Sequence, residues 1–139
     1  MPPTTLMANN ILNYNFGGRA YSTPAFPADV YFGLSTTLVD ATGLASVTEP
    51  SGGSYARVAY SNDATPQKWT VSSVGSLSNT DAIIFPKSTA DWGTILSIFI
   101  ADTATAGNVL WYCTLVPSFI VLDDTVVTFD ANSIVMTIV

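Results

Sequence analysis

Apolar and polar residues alternate with a period of two over residues 29–35, where Val30, Phe32 and Leu34 share one face and Tyr31, Gly33 and Ser35 the other. That spacing predicts a half-buried strand. Residues 54–60, 67–71 and 82–85 are further strand candidates, the last ended by Pro86. Two later runs are apolar on both faces. In 93–101, Ile95 and Phe99 fall on one side and Leu96, Ile98 and Ile100 on the other; in 108–116, Val109, Trp111, Cys113 and Leu115 oppose Leu110, Tyr112 and Val116. Such runs predict strands covered on both sides, and residues 103–107 between them read as a hairpin loop. Residues 125–129 and 133–139 predict a second hairpin with Asp130-Ala131-Asn132 at its tip, after a turn at Asp123-Asp124. Residues 40–50 read as a loop, and 72–80 as a loop or ragged edge. The apolar run 134–139 would be an aggregation hazard as a free edge, so it is expected to pair within the sheet or with another subunit.

One stretch has helical spacing. Met7, Ile11 and Tyr14 recur at intervals of four and three within residues 6–16. Thr4 or Thr5 can cap this helix and Gly17-Gly18 can end it. The chain thus divides into an N-terminal arm with a short helix, 1–18, and a single β-sandwich domain, 19–139. About seven to nine short strands with frequent turns predict an all-β fold, a β-sandwich or jelly-roll-like antiparallel domain with one short N-terminal helix. The helix either lies on the body of the domain or reaches a neighbouring subunit as an arm. The first is preferred, because short helices gain most of their stability from packing.

Composition sharpens this picture. Of 139 residues, 48% are hydrophobic and only 10% charged, against about 25% charged in an average domain. That excludes a disordered chain and implies that other subunits cover part of the surface, as in a homo-oligomer. Glu49 is the only Glu and Gln67 the only Gln, so the residues that fill exposed helix faces are nearly missing. The net charge is −6, and the four cations, Arg19, Arg57, Lys68 and Lys87, form no stripe. Nucleic acid is therefore an unexpected partner, and so is an anionic membrane. No apolar run reaches the roughly 18 residues of a spanning helix, and the N-terminus lacks the pattern of a signal peptide. With a single cysteine, synthesis in a cytoplasm is expected.

Candidate chemistry is sparse. There is no histidine, which removes the commonest general base and the Ser-His-Asp and Cys-His mechanisms. The lone Cys113 cannot build a zinc site and reads as an inert buried residue. Asp123 with Asp124, and Asp91 or Asp102 near the central hairpin, could in principle work as acid and base, and Asp123, Asp124 and Asp130 could meet a calcium ion. Aspartates at turns more often bond the local backbone, so no catalytic, cofactor or metal site is expected. Glu49-Pro50-Ser51-Gly52-Gly53-Ser54 lacks the lysine of a phosphate loop and reads as a sharp turn. Trp69, Trp92 and Trp111 could form a glycan platform, but packing is the preferred reading. Arg57 either pairs with Glu49 or another acid, or projects from an edge. Arg and Tyr are enriched at interfaces, so Tyr55 and Arg57, with Leu6, Ile11 and Tyr14 of the helix, are the candidate partner contacts.

Several segments together carry a resemblance. They are Ala8-Asn9-Asn10-Ile11-Leu12-Asn13 with Phe16-Gly17-Gly18, then Tyr31-Phe32-Gly33-Leu34-Ser35-Thr36, then Thr48-Glu49-Pro50-Ser51-Gly52-Gly53-Ser54-Tyr55-Ala56-Arg57, with Ile84-Phe85-Pro86, Ala90-Asp91-Trp92-Gly93 and Gly107-Asn108-Val109-Leu110. Their order resembles a family of short tailed-bacteriophage virion proteins commonly labelled tail-fibre or virion structural proteins. The resemblance implies a virion component without catalytic residues. Because the chain has no repeats or heptads for an elongated shaft, the expected role is a capsid cement or decoration protein that binds the major capsid protein and stabilises the shell by mass action. The alternative is a tail-associated, fibre or receptor-binding module. A small glycan-degrading enzyme using two aspartates ranks last.

Overall fold

The computed structural model describes residues 1–16, 27–72 and 74–137. The chain runs through α1 (Thr5–Asn15), β1 (Asp29–Ser35), a 3-10 turn at Gly43–Ser46, β2 (Val58–Ser61), β3 (Ser76–Ser78), β4 (Ile83–Ile84), β5 (Gly93–Ala101), β6 (Val109–Val121), β7 (Thr128–Phe129) and β8 (Val135–Thr137). Strands β2-β1-β5-β6 form a four-stranded sheet in that order, and all three pairings are antiparallel. Two antiparallel ribbons, β3 with β8 and β4 with β7, supply the opposing layer. The main core lies between them: Val30, Phe32, Leu34, Ile98 and Ile100 of the sheet meet Ile83, Phe85, Val127 and Ile134 of the ribbons and their flanks. The fold is thus all-β and antiparallel with one N-terminal helix, as the spacing of apolar residues predicted.

A second, smaller cluster occupies the outer face of the sheet. Phe99, Ala101 and Val109 pack there with Val39 and Val47 from the chain around the 3-10 turn. Gly33 makes room for it. A Cβ at Gly33 would lie 2.2 Å from Cζ of Phe99, so the central strand needs a residue without a side chain beneath that ring.

Strict alternation misplaces Ile95 and Val109. The pairing of β5 with β6 slips between Ile95 and Ser97, and again between Ile100 and Ala101. Each slip is a bulge, which moves the following side chains to the opposite face. Ile95 therefore joins Ile98 and Ile100 in the main core while Phe99 faces away. Val109 leaves the side of Trp111 for the outer cluster for the same reason.

Other expectations are corrected at the ends of elements. Of residues 54–60 only Val58–Ser61 is strand, because Gly52, Gly53 and Ser54 take φ of 75°, 58° and 62° and turn the chain. Residues 67–71 contribute only an isolated bridge, Trp69 to Asn79. Residues 76–78, within the stretch read as a loop or ragged edge, are β3 paired with β8; Leu77 is its one apolar residue, so no period showed. Residues 125–129 and 133–137 do not pair as a hairpin. The buried Asn79 explains why. Its Nδ2 donates to Asp130 O at 2.9 Å and its Oδ1 accepts from Ile134 N at 2.9 Å, and its backbone oxygen accepts from Asn132 N at 2.8 Å. The turn is held on Asn79, and β7 and β8 leave it toward different partners. The Gly17-Gly18 helix stop, Arg19, and Ile138 and Val139 of the terminal run lie outside the described residues. No helix among the described residues is long and apolar enough to cross a membrane.

Candidate functional site

The Glu49 to Arg57 segment folds around its one cation. Arg57 presents its fork to Glu49, with Nε to Oε1 at 2.9 Å and Nη2 to Oε2 at 2.8 Å. This bidentate geometry makes the strongest ordinary ion pair. Nη1 donates to the carbonyls of Thr103 and Ala106, each at 2.9 Å, and the guanidinium carbon lies 5.1 Å above the Phe99 ring. Only 1% of the Arg57 side chain is exposed, against 26% for Glu49. A charge this deep is tolerated because nearly every donor is matched.

Tyr55 completes the cluster. Its hydroxyl donates to Glu49 Oε1 at 2.8 Å and accepts the N–H of Leu34 at 2.9 Å. Burial pushes the phenol well above its ordinary range, with the Leu34 hydrogen bond working the other way. The ring stacks with Phe85 at 6.4 Å and meets Trp92 edge-on at 5.3 Å. Next to it, the Gly53 carbonyl accepts the indole N–H of Trp92 at 2.8 Å. A Cβ at Gly53 would fall 2.9 Å from that nitrogen, which is why the turn needs its second glycine.

The cluster governs the β5–β6 hairpin loop. Arg57 grips two carbonyls of the loop from below. Asp102 closes its base, accepting the Asn108 N–H at 2.7 Å and the Asn108 amide at 2.8 Å. Thr103 Oγ1 donates to Thr105 O at 2.8 Å. Ala106 and Gly107 turn the tip with φ of 51° and 70°. A cleft of about 340 Å³ opens between the loop and the ion pair, lined by Glu49, Pro50, Tyr55, Arg57, Ala104 and Ala106 among others. The arrangement offers a rigid, small-residue loop beside a carboxylate already engaged by three donors. It is suited to holding a surface in shape.

The candidate contacts fall into two groups. Arg57 and Tyr55 come together, and the predicted Arg57–Glu49 pair is present, but both direct their polar atoms inward. On the helix, Leu6 and Ile11 are half-buried, and Ile11 packs on the main core beside the buried Met7. The Tyr14 side chain is outside the described set. Thr4 caps the helix, accepting the Met7 N–H at 3.4 Å while its hydroxyl donates to Val109 O at 2.7 Å. Residues 2–4 add a short rung to β6, with Thr4 N to Leu110 O at 2.8 Å and Tyr112 N to Pro2 O at 3.2 Å. The grip of Arg57 on Thr103 and Ala106 went unforeseen. The pairing of the lone glutamate with one of four cations was the only signal for the cluster.

The remaining candidates make the following contacts. Asp91 accepts the Asp123 N–H at 2.8 Å, Asp124 pairs with Lys87, and Asp102 is committed to the loop. No three His, Cys, Asp or Glu residues among the described ones converge to hold a metal ion. Trp92 and Trp111 are buried, and the half-buried Trp69 packs against the same core; Trp69 and Trp111 line an apolar cavity of about 190 Å³ together with Asn62, Leu77 and Met136. Cys113 is half-buried, not buried as expected.

An all-β domain built around packing and turn chemistry agrees with what comparison finds. Residues 2–137 match the profile of the family described as podophage GP4 fiber I protein gp80. The chain belongs to this family. This bacteriophage fibre family, matched over nearly the whole chain, bears out the virion resemblance read from the sequence motifs and makes the chain a virion structural protein. No curated protein matches it.

Proposed function

We propose that this protein is a fibre-type structural module of the phage tail, assembled in the host cytoplasm and incorporated through contacts with other virion proteins. The family match over residues 2–137 carries this reading; it favours the tail over the capsid-cement role expected from the lack of repeats and heptads. The fold supports a non-enzymatic part. Its polar clusters are consumed in fixing loops, and its rigid hairpin loop gives a partner a preorganised surface, which lowers the ordering cost of association.

Copy number decides the matter. Quantitative mass spectrometry of purified particles, referenced to the major capsid protein, is expected to find few copies per particle, with immunogold label at the tail. A ratio that is a fixed large fraction of the shell protein would return the role to capsid cement. Absence from purified particles would remove the structural reading.

A further inference from the structure

Where the main sheet meets the β3–β8 ribbon, the core leaves a gap of about 190 Å³, although native cores keep few voids larger than a water molecule. Its floor is the sheet, through the buried Val30, Ile100, Leu110 and Trp111. Leu77 and Met136, paired across the ribbon, form the opposing wall. Asn62 and Trp69, from the chain between β2 and β3, complete the lining. These last four residues are half-buried, so the gap opens to the surface on their side. Its cause lies in the sheet. Ile100 pairs with Trp111 and the next rung joins Ala101 to Val109, which makes Leu110 the extra residue of a bulge. In a regular strand Leu110 and Trp111 would point to opposite faces; here both lie in the main core. Bulges re-aim side chains in this way beside functional sites. Trp69 is fixed as well. Its indole N–H donates to Asn62 Oδ1 at 2.9 Å, its ring meets Tyr60 edge-on at 4.9 Å, and its backbone bridges to Asn79. The gap is therefore preformed.

The lining selects the occupant. None of its residues is charged. Asn62 is the one amide among them, and both of its ends are engaged: Oδ1 accepts from Trp69, and Nδ2 donates to the Pro27 carbonyl at 2.7 Å. A cavity water needs about two to four polar partners, and sugar hydroxyls stripped of water need partners equally; this lining is poor in them. The floor residues are at most 7% exposed, below the reach of a flat protein surface. Size narrows the choice further. A hydrocarbon-lined cavity of about 150 Å³ takes up benzene, whereas drug-sized ligands occupy about 300–1,000 Å³. The gap thus fits one ring with a short substituent. Two indoles and the Met136 thioether favour an aromatic ring over an aliphatic one, through edge contacts and sulfur–ring contacts.

We propose that this pocket between the main sheet and the β3–β8 ribbon binds a free, small, uncharged aromatic molecule. The site is read from the chain alone and stands whichever part of the virion holds the protein. The probe is toluene, titrated into the full chain isotope-labelled at its methionine methyl groups. The Met136 methyl and Trp69 indole resonances are expected to shift together, and the unfolding midpoint to rise by about 3 °C or more near toluene saturation. Methyl glucoside at the same concentration is expected to do neither. Leu77→Phe, which turns a ring of the chain's own into the pocket, is expected to weaken toluene binding by about tenfold or more. Absence of both the midpoint rise and the resonance shifts overturns the proposal. So does toluene binding that leaves Met136 unmoved or is indifferent to Leu77→Phe, and so does a shift of these resonances by the glucoside. Self-association in sedimentation velocity that toluene disperses would give the pocket to a side chain of another copy and equally overturn it. Should Leu77→Phe fail to fold, the Met136 methyl shift in the unaltered chain decides.

Discussion

Arg57 shows how one residue can fix a surface it does not reach. Its guanidinium makes four hydrogen bonds, two to Glu49 and two to the hairpin loop. Removing one partner of a buried pair typically costs about 3–5 kcal/mol, since the other is left uncompensated. Arg57→Met is expected to lose that much in urea unfolding and to speed hydrogen exchange in residues 102–108. Glu49 is partly exposed and can recover water, so Glu49→Gln should cost less, about 1–2 kcal/mol. Equal losses from the two would contradict the geometry. Tyr55 adds a pH dependence. Burial raises its phenol above the ordinary value of 10.0, so the folded chain keeps a proton that the unfolded chain releases. This contribution is fully present below pH 10.0 and is lost as pH rises above it. The unfolding midpoint should fall on the alkaline side, and Tyr55→Phe should remove the Tyr55-dependent part of that fall.

Among the elements, α1 depends on its cap and on the face it buries. Thr4 serves the helix and the sheet with one hydroxyl, accepting from Met7 and donating to Val109. Thr4→Ala is expected to lower stability by about 1–2 kcal/mol, and Thr4→Ser, which keeps both bonds, by much less. Calorimetric scans of the three chains would show the order. The same residue illustrates what was legible in the sequence. The face carrying Met7 and Ile11 and strand β1 could be read because each repeats a period over a full element, β5 because it is an unbroken apolar run between turn residues, and the cap because a threonine stands just ahead of the helical spacing. The partners of β3 and β8 could not. Ser76-Leu77-Ser78 has one apolar residue, and its pairing with β8 is decided by Asn79, whose contacts lie 51 to 55 positions along the chain. Bulges in β5 and β6 were equally hidden, since a slip in register leaves the composition of both strands unaltered. At the candidate site, Glu49 and Arg57 were identifiable as a pair, but the carbonyls of Thr103 and Ala106 that Arg57 holds bear no side-chain signature.

At the scale of the molecule, the N-terminal segment distinguishes a domain from an arm. Pro3 bridges Trp111, Thr4 and Pro2 bond the rim of β6, and the Met1 amino group donates to Val135 O at 2.7 Å. These contacts join the beginning of the chain to the outer strand of the sheet and to the ribbon that carries β8. A segment held this way belongs to the body. An arm would contribute to assembly and leave the isolated chain as stable as before. Deleting residues 2–4 removes three bonds to β6, two of the backbone and one from the Thr4 hydroxyl to Val109 O, at about 1 kcal/mol each, and bares the edge of β6 at Leu110 and Tyr112. The truncated chain is expected to lose about 3 kcal/mol in denaturant titration without any partner present. It should also aggregate more readily, because an uncovered apolar edge invites pairing. Unchanged stability of the isolated chain, combined with poor incorporation into particles, would reverse this assignment and give residues 1–4 to a neighbouring subunit.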